Sequence, residues 1–220
     1  SSSSAASDVY KRQGSMITTE KITTTDVKRF NKKRIFRLIH YADKISRQEI
    51  ADILQLSLPT VNQNLKLLLE KNLIDFVGNF ESTGGRKAQA ITVNGMSKCA
   101  VSVNLSDAGI KVSLVDLKGE IVFSEKKSIS FTEDAVYSES IAQLVKDVIS
   151  RNNVADEDVL GVGITIPGIF DNDNKTLVFS PTMGIRNYPI AELTKAIPYT
   201  CRATNITCLL YTSPSPRDRG

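Results

Sequence analysis

Asn62, Gln63, Asn64 and Lys66 place three amides and an ammonium within five residues, with Thr60 just before them. A side-chain amide donates and accepts at once, so Asn and Gln can pair bidentately with an adenine edge, while Lys suits a phosphate oxygen. Further on, Ser82-Thr83-Gly84-Gly85-Arg86-Lys87 sets two glycines against two cations. Glycine lets backbone approach a surface closely, and Arg suits the negative potential of a narrow, A/T-rich minor groove. Arg47, Ser57, Pro59, Thr60, Asn62, Gln63, Asn64, Lys66, Gly84, Gly85, Arg86 and Lys87 form the candidate nucleic-acid contact set. The plain alternatives are a solvated polar helix face for the first group and a flexible hairpin turn for the second.

These residues need elements to present them. Asp26 to about Tyr41 reads as a helix with Val27, Phe30, Ile35, Leu38 and Ile39 roughly on one face. Ser46-Arg47-Gln48-Glu49 is a capping box, and the helix it opens turns Ile50, Ile53 and Leu54 inward. Ser57 caps a third helix with Pro59 in its first turn, running to about Asn72 on an apolar face of Val61, Leu65, Leu68 and Leu69. Two short helices about a tight turn make a helix-turn-helix, whose second helix fits a major groove. Leu73 to Phe80 and Ala88 to Val93 read as strands, with the glycine segment connecting them. His40, the chain's one histidine, falls near the end of the first helix, where packing or capping is expected rather than catalysis.

The stretch from Ser46 to Val93 resembles the N-terminal domain of the ROK-family repressors, the sugar-responsive NagC/XylR group. The Thr60-Val61 step, the run from Leu68 to Leu73-Ile74 and the intact Ser82 to Arg86 segment carry the resemblance. Lys87 departs from it, since the pattern usually continues with Pro. The resemblance implies a winged helix-turn-helix, a double-stranded DNA operator as partner, a sugar inducer and a homodimer.

From Cys99 the pattern changes to strands: Ala100 to Leu105, Ile110 to Val115, a turn at Lys118-Gly119, then Ile121 to Phe123 and on to Phe131. A helix from about Asp134 to Ser150 follows, with Ile141, Leu144, Val145 and Val148 inward, then a buried strand from Val159 to Ile166. That order suits the ribonuclease-H-like half of an actin-like sugar-kinase fold, giving an α+β and α/β chain of two unlike domains. Gly161 to Gly168, Phe179-Ser180-Pro181, Gly184 to Asn187 and Ile190 to Leu193 resemble successive ROK segments. By that resemblance Pro167, Gly168, Asn187 and Asn205 form the sugar site.

ROK proteins include ATP-dependent sugar kinases, so an enzyme is one alternative. Their phosphate motif is Asp-x-Gly-x-Thr, whereas this chain has Asn104-Leu105-Ser106-Asp107-Ala108. Asn removes the carboxylate that helps organise a metal, and Ser in place of Gly obstructs a phosphate. Ile206 stands where the catalytic Asp should follow Asn205, and Ile cannot accept a proton. No catalytic residue is therefore expected. A winged helix serving only protein contact is the third alternative.

Charge agrees with a polyanion partner for the first domain. Residues 21–95 hold 13 Lys/Arg against 7 Asp/Glu, while residues 96–207 hold 11 against 14. No run approaches the roughly 18–20 apolar residues needed to span a bilayer. Cys99, Cys201 and Cys208 show neither ligand spacing nor an even count, so a reduced cytoplasm is expected, with no membrane partner, and the ROK resemblance implies a bacterial one. No cofactor or metal is expected here, since the zinc site the resemblance implies would lie beyond residue 207.

The termini carry a separate pattern. Asp8 to Gln13 can be encoded by gat gtg tat aag aga cag, whose reverse complement, one base out of frame, encodes Cys208 to Thr212 and begins Ser213. The two tails resemble translated sequencing adaptors. The expected division is therefore residues 1–15 and 208–220 as adaptor-derived, 16–95 as the DNA-binding domain and 99–207 as an incomplete sensor lobe. The natural start is expected near Met16, with the gene continuing past Thr207.

Overall fold

The computed structural model describes residues 23–79 and 89–205. The first helix, α1 (Thr24–Ala42), starts at Thr23, whose hydroxyl accepts from the Asp26 amide while Asp26 accepts from the Thr23 amide. Ile35 and Ile39 are buried, but Val27 and Phe30, expected inward, are 45% and 60% exposed. The first turns of α1 thus hold these side chains clear of the core. Helix α2 (Arg47–Leu54) opens on the Ser46/Glu49 capping box. It buries Ile50 and Ala51, whereas Ile53, also expected inward, is 60% exposed. Helix α3 (Leu58–Glu70) is capped by Ser57 and buries Val61, Leu65 and Leu68.

Strands β1 (Ile74–Asn79) and β2 (Gln89–Val93) pair antiparallel, with Ile74 opposite Val93 and Phe76 opposite Ile91. Ile45, ahead of α2, adds a bridge to Ile91 through hydrogen bonds of 3.0 and 2.9 Å. This clamps the hairpin to the helices around a core including Ile35, Ile39, Ile50, Leu65 and Ile91. Three helices and a two-stranded hairpin make a winged helix-turn-helix.

A short 3-10 turn at Gly95–Ser97 leads into the second domain. Strands β3 (Cys99–Ser106), β4 (Gly109–Asp116) and β5 (Ile121–Lys127) form an antiparallel meander. Helix α4 (Ala135–Arg151) then carries the chain to β6 (Val159–Ile166), which lies parallel to β3. The last described strand, β10 (Cys201–Asn205), pairs parallel with β6, giving the order β10-β6-β3-β4-β5. Between β6 and β10 lie β7 (Ile169–Phe170), β8 (Thr176–Ser180) and β9 (Ile185–Pro189), which form a small antiparallel sheet, and the short helix α5 (Ile190–Thr194). Alternate β3 residues, Val101, Val103 and Leu105, join Ile141, Val145 and Val148 of α4 in one core. This is the strand order of a ribonuclease-H-like half.

The domains touch at the turn between β4 and β5. Leu117 packs against the first domain's core and its amide donates to the Gly95 carbonyl at 2.8 Å. Lys118 stands 3.9 Å from Asp43, past the end of α1.

Candidate nucleic-acid interface

Helix α3 divides by periodicity into a buried stripe and an exposed one. Val61, Leu65 and Leu68 hold it to the core, and Asn62, Gln63 and Lys66 face solvent. Ser57 and Thr60 organise its start: their hydroxyl oxygens are 2.9 Å apart, and Ser57 accepts from the Thr60 amide at 3.4 Å. Pro59 is exposed in that first turn. The helix dipole favours an anion there. Asn64 departs from the expected outward set. It is 5% exposed, and its amide donates to the Thr60 carbonyl one turn back at 2.8 Å. Asn64 is three residues after Val61 and four before Leu68, and that spacing was the available signal that it belongs to the buried stripe.

Arg47 begins α2 and is exposed. Its guanidinium donates to Gln89 Oε1 at 3.3 Å and lies 4.9 Å above the Phe76 ring. It therefore joins the helix-turn-helix to both strands of the hairpin, at the root of the glycine segment. Gln89, unnoticed in the sequence, accepts from Arg47 across 42 residues of chain, a pairing that no local pattern shows. Gly84, Gly85, Arg86 and Lys87 lie outside the described residues.

Charge at the start of α2 is fixed by the capping box. Hydrogen bonds from Ser46 hold the Glu49 carboxyl below the usual glutamate range, against a smaller opposing effect of burial. The carboxylate accepts from the Ser46 amide at 2.8 Å while Ser46 Oγ accepts from the Glu49 amide at 3.2 Å, so the pair satisfies two helix-start amides. His40 is half-buried against Phe36 and Tyr41, with ring centroids 6.5 and 5.5 Å away, as its expected packing role requires.

In the second domain, Pro167 and Gly168 follow β6 and Asn205 ends β10. The Asn205 amide donates to the Gly168 carbonyl, and Ser180 Oγ donates to the Pro167 carbonyl. A Cβ at Gly168 would stand 2.6 Å from the Phe179 carbonyl oxygen and 2.8 Å from Leu177 Cδ1, so only glycine fits. These contacts bring Pro167, Gly168 and Asn205 together. Asn187 is exposed on β9 in a left-handed conformation (φ 48°), outside those hydrogen bonds.

At the kinase-motif position, the Asn104 amide donates to Thr165 Oγ1 at 2.8 Å, tying β3 to β6. Ser106 closes the following turn by donating to the Gly109 carbonyl, and Asp107 is exposed in it. Among the described residues no group of three or more His, Cys, Asp or Glu could hold a metal ion. Among them, too, no helix is long and apolar enough to cross a membrane.

Comparison with known proteins agrees with this geometry. Residues 100–210 match the ROK family, and residues 31–75 match a winged helix-turn-helix DNA-binding family. The xylose repressor of Bacillus spizizenii W23 is 24% identical over 163 residues, covering 74% of this chain and 42% of that protein. The DNA-binding transcriptional dual regulator NagC of Escherichia coli K12 is 25% identical over 176 residues, covering 80% and 43%. A crystal structure of a ROK family transcriptional regulator, described as a homolog of the E. coli MLC protein, superposes with a TM-score of 0.60 at 21% identity. That match covers 81% of this chain and 46% of the other. The chain spans less than half the length of these relatives.

Proposed function

The chain belongs to the ROK family, and from that membership we propose that it is the operator-reading head and part of the sensor of a transcriptional repressor. The genes it controls would serve carbohydrate metabolism, and a sugar or sugar phosphate would relieve repression. The observation that carries this reading is the exposed Asn62, Gln63 and Lys66 row on the second helix of a helix-turn-helix. Arg47 supports it by tying that unit to the two strands that flank the Gly84 to Lys87 segment in sequence.

In this reading α3 enters the major groove, where Asn62 and Gln63 meet base edges and Lys66 meets phosphate. Ser57, Pro59 and Thr60 present the helix start, Arg47 lies near the backbone, and Gly84 to Lys87 reach the adjacent minor groove. Two copies would read a palindromic, A/T-containing operator in the bacterial cytoplasm. Pro167, Gly168, Asn187 and Asn205 would contact the inducer, which must bind the two conformations unequally to shift them. Phosphoryl transfer is not assigned, because Asn104 holds Thr165 where the kinases carry a carboxylate. No cofactor is assigned to these residues.

Selection of duplex DNA by the chain fused to a dimerising coiled coil tests this, comparing wild type with Arg86→Ala at two salt concentrations. The expected outcome is enrichment of a two-fold-symmetric, A/T-rich site whose salt-sensitive binding the substitution weakens. A folded protein that enriched no site, and bound no better than a charge-matched control, would leave the winged helix as a protein-interaction module.

A further inference from the structure

Helix α1 carries Lys28, Arg29, Lys32, Lys33, Arg34 and Arg37 against one carboxylate, Asp26. Asp26 is engaged at the helix start by Thr23. Arg34 is engaged as well, donating to the Leu54 carbonyl at 3.3 Å and lying 5.6 Å over the Phe30 ring. Arg29, Lys33 and Arg37 are different. They recur every four residues, so they share one helix face, and all three are exposed. Among the described residues none of them forms an ion pair within 4.0 Å. Like charges four apart on a helix repel, and apart from the attraction between Arg29 and Asp26 the row has no opposing charge beside it among the described residues. An external polyanion would satisfy it.

Position favours the same duplex that α3 reads. The Arg34 contact with Leu54 sets this half of α1 beside the end of α2, and the turn there leads directly into α3, with Arg37 of the row about 60° around the helix from Arg34. From Arg29 to Arg37 the helix rises about 12 Å. Backbone phosphates of one strand recur every 3.4 Å or so along a duplex axis, so the row is long enough to follow several of them.

We propose that the Arg29, Lys33 and Arg37 row of α1 is a second phosphate-binding surface, gripping the duplex beside the half-site that α3 reads. It rests on the DNA-binding reading above, and it assigns affinity without sequence preference, because phosphates carry no base information.

The test uses the full chain on a mixed-sequence duplex, with affinity measured across a salt series. Arg29→Ala/Lys33→Ala/Arg37→Ala is compared with Lys126→Ala/Lys127→Ala/Lys146→Ala, which removes the same charge from exposed positions of the second domain. Each lost phosphate contact flattens the log–log salt dependence by about 0.9. The α1 variant should therefore lose about 2 to 3 in slope and bind at least tenfold more weakly at low salt, while the control is unchanged. Arg29→Lys/Arg37→Lys should keep the slope, and matching melting curves show that all variants fold.

An α1 variant with the wild-type slope, or a control that loses as much, overturns the proposal. Flanking Val27 and Phe30 are exposed, so phosphatidylserine vesicles serve as a second probe. Loss of vesicle binding with an unchanged DNA slope would also overturn it, making the row a lipid contact. A wild-type chain with no salt-dependent affinity for DNA would sink the DNA-binding reading together with this one.

Discussion

Asn62 and Gln63 are exposed and their side chains make no hydrogen bond or ion pair among the described residues, whereas Asn64 is buried beside them and Lys66 is exposed one turn on. These side chains should therefore fail differently. Asn62→Ala or Gln63→Ala should relax preference at one base position by about 1–3 kcal/mol, as read by affinities for single-base variants of a selected site. Lys66→Ala should weaken all sites alike and reduce the salt slope by about 1. Asn64→Ala should leave base preference alone but cost about 1 kcal/mol of stability in denaturant melts, the usual net worth of a buried hydrogen bond. Loss of base preference without loss of stability would return Asn64 to the reading face. Residue type alone assigned all three amides to one role. The periodicity that buries Asn64 was legible, but a polar residue inside an apolar stripe reads as surface until its hydrogen bond is known.

The Ser46 capping box, the Ser57 cap and apolar spacing made the helices of the first domain legible, because they are local interactions three or four residues apart, whereas the Thr23–Asp26 box that starts α1 went unread. Depth was less legible. Val27, Phe30 and Ile53 fit the inward face by spacing, yet each is exposed, since burial depends on whether a partner element reaches that turn. The α2 capping box makes a pH-dependent prediction. Glu49 is depressed by Ser46, so its contribution is present above the unfolded-state pKa and is lost as pH falls through the folded one. Ser46→Ala should cost about 0.5–2 kcal/mol near neutrality. It should also flatten the acid limb of the stability profile below the ordinary glutamate range. An unchanged acid limb would show that the Ser46 hydroxyl is not what lowers the Glu49 pKa. In α4, the buried Tyr137 hydroxyl has no partner among the described residues, and burial pushes its pKa up to about 12. Tyr137→Phe should keep the edge-on contact with Phe131 and raise stability by about 1 kcal/mol, since an unpaired buried hydroxyl is costly.

At the scale of the whole chain, the β4–β5 turn was legible as a turn and not as a joint. Lys118-Gly119 marks a reversal in sequence, but nothing local shows that Leu117 leaves its own sheet to pack on the other domain's core. Three contacts of unequal strength form that joint. The Lys118–Asp43 pair is solvent-exposed and 3.9 Å apart, so Lys118→Ala should change little. Leu117 is half-buried, and Leu117→Ala should cost about 1–2 kcal/mol, less than the 2–5 usual for a fully buried leucine. Gly95 is the most constrained. A Cβ there would stand 2.5 Å from Asp116 Oδ2, while the other carboxylate oxygen already accepts from the Lys118 and Glu120 amides at 2.9 Å. Gly95→Ala must therefore displace the carboxylate that shapes the turn, moving Leu117 with it. If the joint couples the domains, calorimetry should show one transition for wild type and Lys118→Ala. Leu117→Ala and Gly95→Ala should split it, with the smaller first domain melting alone at lower temperature. Two transitions already present in wild type would mean that the contact is too weak to carry a sensor's state to a DNA-reading head, and the connection would have to run through the Asn94 to Lys98 linker alone.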